Sequence, residues 1–472
     1  MTPHDATAVL EATHATLDVW PGCRHRVTQA EQVVIASAPF QRLRRLRQMG
    51  LAFHAWPGAE NTRASHSIGV SFWAAAYLEA LDRSADAGTQ AVLASARAAL
   101  APLSLVLVLR LFALLHDIDL LPLGHTLRYQ SGAFAEGEGH PRLAACVAAI
   151  QAEAREQAFA HLPVQDREAC LTAFAEHLGD AADALAGRAP GIGRLVHELV
   201  NSGLGADLMD FALRDSAAIH RPQARHDALV PHLRLVATGA GPRLALQLGE
   251  GPDMATRVAA VDDLYRARFE IFAASVYHPV KLAADAMLDF VLRRLGPARC
   301  RAQLPQDELL RMGDDAFIDR VVAAEQAAEA PVARWMRDGQ LHEEAWRTED
   351  LARFRGHAEA PASLAQAAQW RSEAEQRLRE RLAWAADGDV IVAVSAPTMQ
   401  AKPASALLCG PGAAFTLGEA GSHGFAVDAP RIAAQYARLW SLRVYVSARW
   451  RGRSEAVRAA AEVCFGDARE PA

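Results

Sequence analysis

Several things are scarce in this 472-residue chain, and each scarcity excludes something. Cysteine is sparse: Cys23, Cys146, Cys170, Cys300, Cys409 and Cys464 lie far apart, with no CxxC pair. That spacing argues against a disulfide framework and fits reduced thiols in a cytosol. Positive charge is not in excess, the net charge being −6, so there is no basic field to hold a nucleic acid, and none is expected as a partner. Long apolar runs are missing too. The most apolar stretch, Pro102 to Leu115, carries Arg110 and falls short of the roughly 20 residues a membrane span needs, so no membrane is expected. The opening MTPHDATAVLEATH has neither a basic nor a long apolar region, so no secretory leader is expected and a cytoplasmic location is. Internal repeats are absent. The turn Cys409-Gly410-Pro411-Gly412 lacks the Lys-Ser/Thr of a phosphate loop and is given no nucleotide role. What remains is 51% hydrophobic, enough for a large core and two or three domains at roughly 150 residues each.

The chain is organised around Ser104 to Tyr129, where an apolar helix runs into His116-Asp117, with His125 beyond a Pro122/Gly124 break. An imidazole and a carboxylate buried together must be paired or bound to a metal. The plainer reading is a helix end with an ordinary histidine and a solvated Asp. His4-Asp5 and His226-Asp227 repeat the dipeptide, but in a chain terminus and in a polar, Pro-flanked stretch. His66 opens the helix after the Pro57-Gly58 turn and gains meaning only beside His116-Asp117. In LVNSGLGADLMDFALRDSAAIH, Asp207 and Asp210 share a helix face and Asp215 lies about two turns on. One of these acids could cap the helix or pair with Arg214; another could face a pocket.

The remaining segments read mostly as helix. Val27 to Met49 predicts two helices, the second, FQRLRRLRQMG, stopped by Gly50 and showing a basic face of Arg42, Arg44, Arg45 and Arg47. Residues 141–200 predict helices with a linker near Gly187 to Gly193. Residues 259–292 predict a long helix kinked at Pro279 and carrying Arg266, Arg268, Tyr277, His278 and Lys281, which could line a phosphate pocket or be ordinary exposed residues. From Asp389 the period changes to strands and two helices. The expected architecture is mainly α: a helical bundle over 1–300, a helical extension over 301–386 and a small C-terminal α+β domain over 387–472.

Four segments in order, FQRLRRLRQMG, PGAENTRASHSIGV, LLHDIDLLPLGHTL and ADLMDFALRDS, resemble the HD-domain metal-dependent phosphohydrolases, nearest in pattern to the deoxynucleoside triphosphate triphosphohydrolases. The resemblance covers about residues 28–290 and implies an HD-domain bundle. It implies one divalent ion (Mn, Mg, Fe, Co, Ni or Zn) on His66, His116, Asp117 and Asp207. It places His125 and His140 near the scissile phosphate as general acid or oxyanion holder. It sets Gln48 and Arg63 toward phosphate and sugar, Asp215 toward a sugar hydroxyl, and Arg268, Tyr277 and Lys281 in the substrate pocket. A nucleotide or other phosphoester substrate and a homo-oligomer follow from it. The chain departs from the pattern at Asp119-Leu120, Pro141, Leu208 and Phe211, and in the spacing of Tyr277 to His278, which implies an altered triphosphate clamp. Two further readings share these residues: a two-metal phosphodiesterase with His125 and His140 as added ligands, and a nucleotide sensor without turnover.

Overall fold

A computed structural model of the chain describes all residues except 21–22, 125, 128–133, 135–139, 190, 222–226, 326–329, 350–363, 396–404, 413 and 466–472. Helices dominate. After α1 (Pro3–Glu11), an antiparallel hairpin of β1 (Thr13–Trp20) and β2 (Cys23–Thr28) leads into α2 (Gln29–Ala36), whose start is fixed by a Thr28/Glu31 capping box. The short α3 (Ala38–Arg42) follows, then α4 (Arg63–Asp82), α5 (Ala87–Leu100) and α6 (Leu105–Leu115). Every residue of α6 except Val106 and Arg110 is buried, as befits a helix apolar on all sides. It sits against α2, α4 and α8 (Val164–Leu185), with α7 (Pro141–Gln157) and α9 (Ile192–Asn201) completing the bundle. Helix α10 (Ala206–Ala218) lies along α4. Among the described residues no single helix is long and apolar enough to cross a membrane.

The helix expected to run to Gly50 stops at Arg42. A 3-10 turn, Leu43–Arg45, follows, and the backbone is extended at Leu46. Two cross-links cause this: Arg63 N donates to Leu46 O at 2.9 Å and Gln48 N to Asn61 O at 2.8 Å, tying this segment to the start of α4. The expected basic face is also corrected. Arg42 is buried and donates to the carbonyls of Ile118 (3.0 Å) and Leu120 (2.7 Å), directly after His116-Asp117.

Beyond α10, β3 (Leu233–Thr238) and β4 (Gly241–Gln247) form a hairpin. The expected kinked helix is two helices, α11 (Pro252–Ile271) and α12 (Pro279–Gln303), separated by a π-turn at Phe272–Val276; Pro279 takes the first turn of α12 rather than a kink inside it. Next come α13 (Asp314–Ala324), α14 (Val332–Arg337), β5 (Glu343–Thr348), α15 (Leu364–Arg381), β6 (Val390–Val394), β7 (Leu407–Cys409), β8 (Ala414–Thr416), α16 (Ala429–Ala437), β9 (Leu442–Val446) and α17 (Ser454–Phe465).

Strand pairing crosses the expected boundaries at 300 and 386. Strand β7 runs parallel to β4 in a β3-β4-β7-β8 sheet, so the strands around Gly410-Pro411-Gly412 join the N-terminal part. Strand β5, from the expected helical extension, joins β9 and β6 instead. All of β9 is buried because both faces of this sheet are covered. Ile391 and Tyr445 face α12, while Val390, Val392, Val444 and Val446 face α15 and α17. The α12 span is broken by non-helical backbone at Gly296 (φ 78°), and the helical turn after that break runs on past residue 300.

Candidate metal centre

Three helix ends meet at one point. Thr62 caps α4, its hydroxyl accepting from Ser65 N, and this sets His66 in the first turn. His116 is the C-cap of α6, and Asp207 lies in the first turn of α10, where the helix dipole favours a carboxylate. One ligand atom from each of His66, His116 and Asp207 lies within 4.8 Å of the others. His66 Nε2 is 3.1 Å from Asp207 Oδ1 and 3.3 Å from His116 Nε2.

The opposite ring nitrogens are already committed. His66 Nδ1 is 2.8 Å from Asp210 Oδ2, and His116 Nδ1 is 2.7 Å from the Ala113 carbonyl. A proton on each Nδ1 serves these bonds and leaves both Nε2 lone pairs converging beside Asp207, the arrangement by which outer partners orient metal-binding histidines. Asp210 is fully buried and is held in turn by Arg214 through two bonds of 2.8 and 2.9 Å. Arg214 stacks on Trp20, its Cζ 4.4 Å from the ring centroid. Gly69 makes room for this arrangement: a Cβ there would come within 1.8 Å of Asp210 Oδ1.

Burial opposes charge on His66, but bonds to Asp207 and Asp210 and their negative charge outweigh it and raise its pKa to about 10. A cation and this proton compete for the same nitrogen. Two imidazoles and a carboxylate suit a divalent transition metal, so the donor set fits the ion implied by the sequence.

Asp117, the expected fourth ligand, lies beside the trio. Its Oδ2 is 3.6 Å from His116 Nε2 and accepts a 2.6 Å bond from Arg63 Nη1. Arg63, expected to face phosphate, is thus engaged with Asp117 and, through Nη2, with the Gln48 carbonyl at 2.8 Å. Asp215 is buried, accepts from Asn61 Nδ2 at 2.7 Å, and has its pKa raised to about 6, chiefly by burial. The side-chain oxygens Gln48 Oε1 and Asn61 Oδ1 are buried without a hydrogen-bond partner among the described residues.

The other expected residues divide. Lys281 is buried on its own helix, its Nζ 2.5 Å from Asp285 Oδ2, while Thr126 bonds the other oxygen at 3.3 Å. Its charge is therefore balanced within the protein rather than presented to a phosphate pocket. Arg268 and Tyr277 are buried, Arg268 lying over Phe272 with Cζ 5.1 Å from the centroid. His140 is exposed, at the N-cap of α7 and outside the grouped donors. His125 lies outside the described residues.

Sequence reading missed Gly69 and the role of Arg42. It paired an α10 acid with Arg214, which Asp210 does, but did not see that the same acid orients His66. The signal was present: Asp210 follows Asp207 on one helix face and precedes Arg214 by four residues.

No family model matches the chain. It is 32% identical over 99 residues to an uncharacterized protein of Methanocaldococcus jannaschii, covering 21% of this chain and 17% of that one. It is 49% identical over 45 residues to a protein of Acanthamoeba polyphaga mimivirus named for an HD domain, covering 10% of each. The chain thus spans less than a fifth of the length of the curated relatives it matches. Solved structures align over nearly the whole chain. A phosphohydrolase from Bacteroides thetaiotaomicron superposes with a TM-score of 0.58 at 14% identity, covering 88% of this chain and 95% of that one. A hypothetical protein from Aquifex aeolicus gives 0.57 at 19% identity, covering 93% and 96%. The chain is a mainly helical protein with small sheets, and its fold resembles that of the Bacteroides phosphohydrolase.

Proposed function

We propose that this protein is a metal-dependent phosphohydrolase that acts on a nucleotide, with a (deoxy)nucleoside triphosphate as the first substrate class, as a cytoplasmic homo-oligomer. The observation that carries the reading is the convergence of His66 Nε2, His116 Nε2 and Asp207 Oδ1, with the far side of each imidazole already bonded. The fold shared with the Bacteroides phosphohydrolase supports it.

A divalent ion held there supplies Lewis acidity at a phosphoryl oxygen and lowers the pKa of a bound water. The protein supplies the rest. Asp210, clamped by Arg214, fixes the His66 ring, and Ala113 O fixes His116. Asp117 would add a carboxylate donor to an ion held there, and Arg63, bonded to Asp117 Oδ2, would bring a guanidinium suited to phosphate oxygens beside it. Asp215, with Asn61, presents an acceptor suited to a sugar hydroxyl. Water attacks phosphorus, the P–O bond to the leaving group breaks, and a proton passes to the leaving oxygen.

The test is a panel of ribo- and deoxyribonucleotides with Mn, Mg, Co and Zn, products separated by ion exchange. Triphosphate plus nucleoside is the expected pattern. Monophosphate or pyrophosphate would keep the hydrolase and discard the triphosphohydrolase. No turnover with metal and nucleotide both bound would overturn the enzyme reading.

A further inference from the structure

The contacts behind His66 do not end at Asp210. Arg214 donates from Nε to Asp210 Oδ2 at 2.8 Å and from Nη2 to Oδ1 at 2.9 Å, so one edge of its guanidinium is committed to the carboxylate. The same guanidinium lies over the indole of Trp20, Cζ 4.4 Å from the ring centroid. Asp210 is fully buried and Arg214 nearly so. A series of printed contacts therefore runs from Trp20 through Arg214 and Asp210 to His66 Nδ1, the last step being 2.8 Å.

The N-terminal hairpin is built to deliver that indole. Trp20 ends β1 opposite Cys23 of β2, and the pairing register shifts between Asp18 and Trp20. An irregularity of this kind re-aims the side chain beside it. The base of the hairpin is fixed to the bundle: His25 Nε2 is 3.1 Å from Glu31 Oε1, and Arg110 Nη2 of α6 donates to the Arg26 carbonyl. Val19 packs against the main core, and β1 touches α4, the helix that carries His66. An aromatic face attracts a cation, and a planar guanidinium can stack while its edge stays free to grip a carboxylate. Trp20 precedes residue 28, where the family resemblance begins, so the resemblance assigns it no part.

We infer that Trp20 is a positioning residue for the metal centre: its indole holds Arg214 against Asp210, Asp210 holds the Nδ1 side of His66, and Nε2 is thereby aimed at the ion. The hairpin belongs to the frame of the centre although it supplies none of the grouped donors. The inference rests on the metal centre and not on the reaction carried out there.

The experiment is calorimetric titration of Mn into the metal-free full-length chain, in a double-mutant cycle of Trp20→Leu and Asp210→Asn with Trp20→Phe beside it. Trp20→Leu keeps an apolar side chain and removes the π face. It is expected to weaken Mn binding about three- to tenfold, the range of a partly desolvated cation–π contact. Trp20→Phe, which restores a face, is expected to recover most of that loss. In the Asp210→Asn background, where the link to His66 is already broken, Trp20→Leu is expected to cost nothing further. A Trp20 that only stabilises the fold would cost affinity equally in both backgrounds, and that result would overturn the inference. So would wild-type affinity in Trp20→Leu, a Trp20→Phe as weak as Trp20→Leu, or a wild-type chain that binds no Mn. The expected cycle in a chain that hydrolyses no nucleotide would support the role of Trp20 while sinking the phosphohydrolase reading.

Discussion

His66 is the residue on which the centre turns, because both of its nitrogens are spoken for: Nδ1 by Asp210 and Nε2 by the space shared with His116 and Asp207. Asp210 would therefore act on a metal held there without touching it. Asp210→Asn keeps the shape but removes the charge that holds the Nδ1 proton. Metal affinity is expected to fall 10- to 100-fold, the range found for partners behind metal ligands, as measured by calorimetric titration with Mn. An affinity within twofold of wild type would remove Asp210 from this role. At this scale the sequence points more readily to candidate donors than to the groups that orient them. His66 and His116-Asp117 stand out beside apolar helical stretches, whereas Asp207 is set apart from Asp210 and Asp215 only by the family resemblance. Gly69 and Arg42 act through close approach and through bonds to carbonyls distant in sequence, neither of which leaves a local pattern.

Among the elements, α2, β2 and α6 are joined by one buried acid. Glu31 accepts from Thr28 N at 2.8 Å, from Ser71 and from Arg110, and lies 3.1 Å from His25 Nε2. Burial alone would raise its pKa, but the bond from His25 and the charge of Arg110 bring it down to about 2 from an ordinary 4.5. A carboxyl with a depressed folded pKa stabilises fully above its unfolded value and loses that contribution as pH falls toward the folded one. The chain should therefore lose on the order of 3 kcal/mol between about pH 4.5 and 2 from this group. Glu31→Gln should lower stability at neutral pH and flatten the acid limb of a urea-denaturation series. A variant with the same acid limb as wild type would show that other carboxyls govern it. The capping box Thr28-x-x-Glu31 announces a helix start, but nothing nearby in sequence reveals Ser71 and Arg110 as partners. The expected helix through Leu46 failed for a similar reason. Its apolar spacing is helical, yet pairing with Asn61 and Arg63 drew it into extended backbone.

Across the whole molecule, the change from helix to strand after residue 386 was legible, and the partners of those strands were not. Strand β7 looks like half of a hairpin with β8, which it is, but its other edge is β4, more than 150 residues earlier. Strands of three residues carry too little pattern to name a distant neighbour. It follows that the chain cannot be trimmed to its first 300 residues without cost. Such a fragment leaves β4 with an open edge and removes the strands and helices that cover α12. It should lack a cooperative thermal transition and bind a hydrophobic dye. A sharp transition near that of the full chain would contradict this and restore the boundary at 300.

The centre itself is open to one direct measurement: the number of divalent ions retained per chain after dialysis, by elemental analysis, in wild type and in His116→Ala. The geometry of His66, His116 and Asp207 predicts about one ion in the wild type and nearly none in the variant, with both proteins folded by circular dichroism. Equal metal in the two, or none in the wild type after loading with each candidate metal, would contradict the assignment of a metal centre at these three helix ends.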